Sequence, residues 1–242
     1  DDSNEPGPID GGRQAVDGVT SEDVGYFQST TGFLAKPEGE GTYPGVVLIH
    51  EWWGLNDNIK NSAQKLAKEG YVVLAVDLYN GQVASTSSEA QALVGSVDLN
   101  AAIDNMQAAV AYLRTEQNAP KVGSWGWCFG GGKSLQLAVS GEDLDATVLY
   151  YGQPITDQSQ INKIDWPVLG IFGEEDQSIS VAKVLEFQHA LEITKKTHEI
   201  FIYPNVGHAF ANPSNANYAP DATADAWAKT IAFLNANLKD DQ

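Results

Sequence analysis

Residues 121–139 read KVGSWGWCFGGGKSLQLAV, and this stretch decides the fold. Its first part is a short apolar run typical of a buried strand, and the residues after Cys128 have the pattern of a helix. Gly126 and Gly130 flank the cysteine as G-x-C-x-G. A sharp turn from strand to helix needs glycines there, because side chains would collide with neighbouring backbone. The stretch therefore predicts a strand-turn-helix unit that exposes Cys128 at the start of the helix.

Cys128 is the single cysteine of the chain. The positive end of a helix dipole favours a thiolate, which is the nucleophilic form of cysteine. A lone cysteine can instead be an inert apolar residue, but the flanking glycines favour a nucleophile. The Gly-Lys-Ser run at 132–134 does not complete a phosphate-binding loop, because that motif needs glycine where the chain has Trp127. One cysteine cannot form an intramolecular disulfide or a cysteine-rich zinc site, and we expect neither metal nor cofactor.

Outward from this unit, strand-like runs alternate with helical segments. The runs are GVVLIH, YVVLAVD, ATVLYYG, PVLGIFG and HEIFIYP, and helices are predicted over 56–69, 88–114, 130–139, 180–192 and 222–238. Because parallel strands need crossover connections, this order predicts the α/β class. We expect a mostly parallel sheet of about seven or eight strands with helices on both faces.

Two edge strands are predicted in YFQSTTGFLAKP, with a turn at Thr31-Gly32. The residues before them lack apolar periodicity. We therefore expect a flexible acidic segment over 1–20 and a single α/β domain over 21–242.

Polar residues follow two later strands of the predicted sheet. Ligands of such sheets bind beyond the carboxyl ends of the strands, so residues there carry the chemistry. The carboxylates of residues 174–176 follow PVLGIFG, and His208 follows HEIFIYP. The residues alone do not choose among the three carboxylates, of which at least two should be solvated. His189, inside a predicted helix, and His198, at a strand start, fit a proton-transfer role less well.

The order nucleophile, carboxylate, histidine matches hydrolases built on a strand-to-helix elbow. In such a site Cys128 attacks a carbonyl, His208 takes or returns the proton, and the carboxylate orients the imidazole. The oxyanion needs preorganised donors. We expect the backbone N–H of Phe129 to be one and the loop 50–54 to supply the second.

Motifs along residues 25–238 resemble the dienelactone hydrolase family, or carboxymethylenebutenolidase-like proteins, of the α/β-hydrolase fold. The motifs are HEWWGLN at 50–56, DLY at 77–79, GWCFGG at 126–131, YG at 151–152, GEED at 173–176 and GHAF at 207–210. The resemblance implies a catalytic triad of Cys128, His208 and Asp176. It also implies that Glu51 pairs with the cysteine and controls its ionisation, and that the backbone N–H of Trp52 is the second oxyanion donor.

The family resemblance does not extend to the substrate-binding arginines. Characterised lactone-cleaving members hold a substrate carboxylate with two arginines, and Gly81 and Asn212 stand at those places here. Without these charge-assisted contacts we expect small neutral esters or lactones as substrates. The pocket candidates are Trp53, Tyr79, Trp127, Phe210 and Asn212. The missing arginines also leave open a non-catalytic module that binds a small ligand or partner on a hydrolase scaffold.

Charge excludes some partners. The formal net charge of −18 would repel a phosphate backbone, so nucleic-acid binding is not expected. No apolar run is long enough to span a membrane. We expect a protein that acts on a small molecule as a monomer, with an oligomer as the open alternative. The compartment stays open between the cytoplasm and export after signal cleavage, and the acidic surface fits either a salt adaptation or ordinary solvation.

Overall fold

The predicted alternation of strands and helices is found in the structure, a computed structural model that describes residues 12–239. Among these residues the strands are β1 Val19–Phe27, β2 Thr30–Pro37, β3 Gly45–Ile49, β4 Val72–Val76, β5 Val122–Trp127, β6 Ala146–Tyr150, β7 Val168–Gly173 and β8 His198–Tyr203. The helices are α1 Asp57–Lys68, α2 Ser87–Ser96, α3 Leu99–Thr115, α4 Phe129–Val139, α5 Gln158–Ile161, α6 Val181–Ile193 and α7 Pro220–Leu238. The chain divides into two compact units, one ending at Val122 and one beginning at Gly123.

The first unit contains four strands in the order β1-β2-β4-β3. β1 and β2 form an antiparallel hairpin, β2 pairs antiparallel with β4, and β3 pairs parallel with β4. Every residue of β3 and β4 is buried, as expected for strands covered on both faces. Helix α1 begins where the Asn56 side chain accepts the N–H of Ile59, and it packs against β2 and β4.

The second unit contains four parallel strands in the order β5-β6-β7-β8. All residues of β5, β6 and β7 are buried, whereas β8 is partly exposed. Helices α4 and α7 pack against β6, and α6 packs against β8. Because the strands are parallel, their carboxyl ends lie at one edge, and the segments after β5, β7 and β8 meet there.

The turn of the first hairpin lies earlier than predicted. Gln28 and Ser29 form the turn, and Thr31 and Gly32 belong to β2. Gln28 adopts a left-handed φ of 47° without being a glycine. The prediction placed the turn at the glycine, but Gly32 is needed in the strand, where a Cβ would come within 2.8 Å of the carbonyl oxygen of Ala75.

One predicted helix is two helices. The range 88–114 contains α2 and α3, and the chain between them is extended at Val97. The carboxylate of Asp98 accepts the N–H of Ala101 at 2.9 Å and begins α3 as its N-cap. The short helix α5 was not predicted.

With eight mostly parallel strands that alternate with helices, the prediction of the α/β class is confirmed. The flexibility of segment 1–20 and the single domain over 21–242 stay predictions, and residues 1–11 lie outside the described residues. Asn61 of α1 bonds to the backbone of Gly12 and Gln14, and β1 already begins at Val19. No helix within residues 12–239 combines the length and the apolar character needed to cross a membrane.

Candidate active site

Cys128 occupies the predicted turn between β5 and α4. Its backbone has φ 52° and ψ −116°, a sparsely populated conformation of the kind found at functional sites. The N–H of Cys128 donates to the carbonyl of Tyr150 at 2.9 Å, and its own carbonyl accepts the N–H of Gly132 at 3.2 Å. These bonds hold the turn, and the cysteine side chain remains partly exposed.

The glycine before the cysteine is required by close backbone approach. A Cβ at Gly126 would lie 2.1 Å from the carbonyl oxygen of Gly130, which is far inside van der Waals contact. The strand can therefore run into the helix this tightly only without a side chain at position 126. The G-x-C-x-G pattern of the sequence predicted this steric requirement for glycine.

His208 lies between Cys128 and Asp176. Its Nδ1 is 2.7 Å from Oδ2 of Asp176, and its Nε2 is 3.1 Å from Sγ of Cys128. The side chain of Asp176 is fully buried, and its Oδ1 accepts the backbone N–H groups of Ser178 at 2.7 Å and Ile179 at 2.9 Å. The structure thus brings together the three side chains predicted to act together.

The loop after β7 is tied to the loop after β8 by backbone contacts. The N–H of Glu174 donates to the carbonyl of Tyr203, and the N–H of Glu175 donates to the carbonyl of Val206. A Cβ at Gly173 would lie 2.5 Å from the Val206 carbonyl oxygen, so the glycine permits this approach. The two segments that carry the acid and the histidine are consequently held side by side.

The other candidate acids and histidines have different surroundings. Glu174 and Glu175 are exposed, so two of the three carboxylates are solvated, as expected. His189 is exposed on α6, 3.7 Å from Glu192, and His198 begins β8 with its Nδ1 2.8 Å from the carbonyl oxygen of Lys196.

The contact between Asp176 and His208 lowers the pKa of the carboxyl group and raises the pKa of the imidazole. Burial raises the pKa of Asp176, but the hydrogen bonds from His208 and from the N–H groups of Ile179 and Ser178 outweigh it and leave the pKa below its ordinary value. Burial lowers the pKa of His208, but the hydrogen bonds and charges of Asp176 and Cys128 raise it overall to about 10. The imidazole is therefore protonated at neutral pH and can donate a proton.

Tyr151 is a neighbour of the histidine that the sequence analysis did not single out as a site residue. It follows β6 directly, is buried, and has a φ of 35°. Its ring meets the ring of His208 edge-on with the centroids 5.2 Å apart. Its place just after a strand was the available signal, because Cys128 and Asp176 also follow strands.

The residues predicted to assist the cysteine lie in the first unit. Glu51 is buried and Trp52 is half-buried. The fully buried ring of His50 anchors their loop: its Nε2 accepts the N–H of Leu78 at 3.1 Å, and its Nδ1 lies 2.6 Å from the carbonyl oxygen of Glu51. Burial lowers the pKa of His50, so the ring is neutral, with Nδ1 as the donor. The roles predicted for Glu51 and Trp52 toward the cysteine stay predictions.

Most of the predicted pocket residues are buried and packed. Trp53 is 7% exposed and meets Trp52, while Tyr79 is 4% exposed and lies against His50. Trp127 is 7% exposed and stacks with Trp125.

Two further candidates are buried as well. Phe210 has no exposed surface and packs against Tyr151 and Tyr203, so it supports the histidine loop and offers no surface to a ligand. Asn212 is 5% exposed, and its Oδ1 accepts the N–H of Ser214 at 2.9 Å, which makes it part of a turn.

No metal centre is apparent in the described part of the chain, where no three His, Cys, Asp or Glu side chains lie together as metal ligands would.

Comparison with known proteins places this chain in a family. The model of the dienelactone hydrolase family matches residues 30–238. Two proteins named "Putative carboxymethylenebutenolidase" are similar: one from Synechocystis is 32% identical and the match covers 86% of this chain and 92% of that protein, and one from Saccharolobus solfataricus is 34% identical over 84% and 92%.

Among solved structures, a dienelactone hydrolase-like promiscuous phosphotriesterase from metagenomic libraries has a TM-score of 0.80 and 27% identity, covering 91% of this chain and 99% of its own. The fold and the family match show an ester or lactone hydrolase of the α/β-hydrolase class, as predicted. The chain belongs to the dienelactone hydrolase family.

Proposed function

We propose that this protein hydrolyses small neutral carboxylic esters or lactones with Cys128 as nucleophile, His208 as acid and base, and Asp176 as the orienting carboxylate. The observation that carries the proposal is the continuous contact from Asp176 Oδ2 through the imidazole to Cys128 Sγ, at 2.7 and 3.1 Å. Family membership supports the reaction class but not these individual roles.

The first half of the reaction transfers the acyl group to the enzyme. The Cys128 thiolate attacks the carbonyl carbon, and the carbonyl oxygen becomes an oxyanion. In the proposal this oxyanion accepts the N–H groups of Phe129 and Trp52. The tetrahedral intermediate collapses as His208 gives its proton to the leaving alkoxide oxygen. The products are an alcohol and a thioester on Cys128.

The second half releases the acid. His208, now neutral, takes a proton from water, whose oxygen attacks the thioester carbon. Collapse of this intermediate expels the Cys128 thiolate and frees the carboxylic acid. Asp176 stabilises the imidazolium whenever His208 is protonated and keeps Nε2 directed at the sulfur.

The neutral character of the substrate is inferred from two positions. Gly81 is exposed and has no side chain, and the buried amide of Asn212 is used within its own turn. Neither residue supplies the cationic fork that would bind a substrate carboxylate. Esters that carry a carboxylate should therefore gain no affinity from these positions.

The test compares turnover of p-nitrophenyl acetate and butyrate by the unchanged protein and by Cys128→Ala. We expect the variant to lose nearly all activity, whereas His189→Ala, which changes an exposed histidine on α6, should retain it. A panel of neutral and carboxylate-bearing esters and lactones then tests the substrate class. Equal turnover by Cys128→Ala would refute the mechanism.

The absence of arginine at positions 81 and 212 motivates a second candidate, a binding module that keeps the hydrolase scaffold without catalysis. It predicts that small esters raise the melting temperature while no product appears. Mass spectrometry separates the two, because an acyl adduct on Cys128 that forms and then clears with time occurs only in the enzyme. A stable complex without adduct or product would favour the binding module.

A further inference from the structure

The backbone of His208 is held by a residue distant in sequence. The side-chain Nδ2 of Asn217 donates to the main-chain carbonyl oxygen of His208 at 3.0 Å. The same amide packs against Gly207, where an added Cβ would lie 3.2 Å from Nδ2. Asn217 therefore contacts the histidine segment at its backbone.

Asn217 is presented by a loop built on asparagine turns. Oδ1 of Asn212 accepts the N–H of Ser214, and Oδ1 of Asn215 accepts the N–H of Asn217, both at 2.9 Å. The N–H of Tyr218 donates to the carbonyl of Asn215. These side-chain bonds mimic backbone turns and define the loop without the amide of Asn217. That amide remains available to hold the histidine segment.

The held carbonyl lies next to a residue with a left-handed backbone. Ala209 has φ 59°, which is uncommon for a residue other than glycine or asparagine. The carbonyl of Phe210 accepts the N–H of Ala219 at 2.9 Å and the hydroxyl of Thr223 at 3.0 Å. The carbonyls of the residues before and after Ala209 thus each accept a hydrogen bond, which holds this segment in place.

We propose that Asn217 is a positioning residue, which sets the place of the His208 imidazole by holding the carbonyl of the same residue. The inference rests on the proposed function, in which the imidazole must meet Asp176 Oδ2 and Cys128 Sγ at once. Small displacements at such a site lower rates strongly. Because Asn217 is exposed, its side chain should add little to the free energy of unfolding. We therefore expect its replacement to change mainly the position of the His208 imidazole.

The experiment uses the full chain with Asn217→Ala, Asn217→Asp and the control Asn237→Ala. In Asn217→Ala the backbone N–H of residue 217 still donates to Oδ1 of Asn215, but the side-chain donor is lost. Asparagine-to-aspartate keeps the shape and replaces the donor by an acceptor. Asn237 donates to the carbonyl of Phe233 at 2.8 Å within α7, so its replacement removes a bond of the same type elsewhere.

Two readouts are measured for each protein. One is kcat and KM for p-nitrophenyl butyrate. The other is the rate of Cys128 alkylation by iodoacetamide as a function of pH, which reports the coupling of His208 to the sulfur and needs no ester hydrolysis. Because the chain has one cysteine, the alkylation signal has a single source.

We expect Asn217→Ala to lower kcat about two- to tenfold, the size of one lost hydrogen bond, with KM changed less than about twofold. The part of the alkylation profile that reports deprotonation of His208, its alkaline limb, should move to lower pH. Asn217→Asp should lose at least as much kcat, and Asn237→Ala should leave both readouts unchanged.

Wild-type kcat and an unmoved limb in both Asn217 variants would overturn the proposal. A kcat loss that comes with a lower melting temperature and an unmoved limb would also overturn it, because it would show a structural role. If no variant or parent hydrolyses any ester, the proposed function fails, while the alkylation profile still decides whether Asn217 positions the histidine.

Discussion

Three neighbouring carboxylates follow β7, and they differ in how far they are buried. Asp176 turns inward and accepts two backbone N–H groups and the His208 ring, whereas Glu174 and Glu175 are exposed. The hydrogen bonds compensate the cost of burying the charge, and they fix the carboxylate against the imidazole. Its neighbours contribute their backbone N–H groups to the contact between the loops.

Replacing Asp176 by asparagine should lower kcat by about two to four orders of magnitude, because the amide neither fixes the tautomer nor stabilises the imidazolium. The pKa of His208, about 10 in the parent, should fall, so the alkaline limb of the pH-rate profile should move to lower pH. Glu175→Gln is the matched control at the same strand end and should behave like the parent. An unmoved limb in Asp176→Asn would contradict this assignment.

The raised pKa of His208 makes stability depend on pH. In the unfolded chain the pKa is near 6.5, and in the folded protein it is about 10. The imidazolium therefore contributes its full stabilisation below about pH 6.5, and this contribution is lost as the pH rises through about 10.

Urea unfolding of the parent and of His208→Gln at about pH 6, 8 and 10.5 measures this loss. The difference in the free energy of unfolding should be largest at the lowest pH and should shrink toward the highest. His189→Gln, on the exposed face of α6, provides the control for loss of a histidine. A difference in the free energy of unfolding that grew with pH would contradict the predicted direction.

At the scale of elements, the β5–α4 unit depends on backbone contact. Gly126→Ala places a Cβ 2.1 Å from the carbonyl oxygen of Gly130, so strand and helix must move apart. We expect a loss of at least about 2 kcal/mol in the free energy of unfolding, the size typical of steric strain in a core.

Gly95→Ala is the matched comparison, because a Cβ there meets nothing within 4 Å inside α2. It should stabilise the protein by about 0.5–1 kcal/mol through helix propensity. Urea denaturation measures both variants. Similar effects of the two substitutions would contradict the steric explanation for Gly126.

The division of the predicted helix into α2 and α3 is also decided at this scale. Apolar residues continue across the break, so periodicity alone joined the two segments. The difference lies in Asp98, whose carboxylate caps α3, and in the extended backbone of Val97. An aspartate in a long helical pattern reads equally as an exposed helix residue, and only its hydrogen bond to Ala101 distinguishes the cap.

At the scale of the whole molecule, the net charge of −18 produces self-repulsion that salt screens. For an ordinarily solvated surface we expect the melting temperature to rise by a few degrees between about 0.01 and 0.2 M NaCl. Little further change should follow up to about 2 M, because the Debye length is already about 10 Å at 0.1 M. Calorimetry over this series measures the effect. A steady rise into molar salt would indicate a salt adaptation instead.

The α/β class could be predicted because the strands from β3 to β7 are short, mostly apolar runs that are buried along their whole length. Such runs differ in composition from the amphipathic helices between them. The hairpin turn was misplaced because β1 and β2 are mixed in polarity, and the glycine that marked the turn serves close packing in the strand instead.

The sequence by itself determined that Cys128 stands in a tight strand-to-helix turn, since glycine spacing is a local steric requirement that nearby residues report. It also determined the order in which a carboxylate and a histidine follow. The residues alone left three carboxylates open, and the family resemblance chose Asp176. Only the tertiary structure shows that Asp176 is buried against His208, that Phe210 packs inside, and that Tyr151 and Asn217 contact the histidine. These depend on contacts between segments far apart in the chain, and local patterns carry no information about such distances.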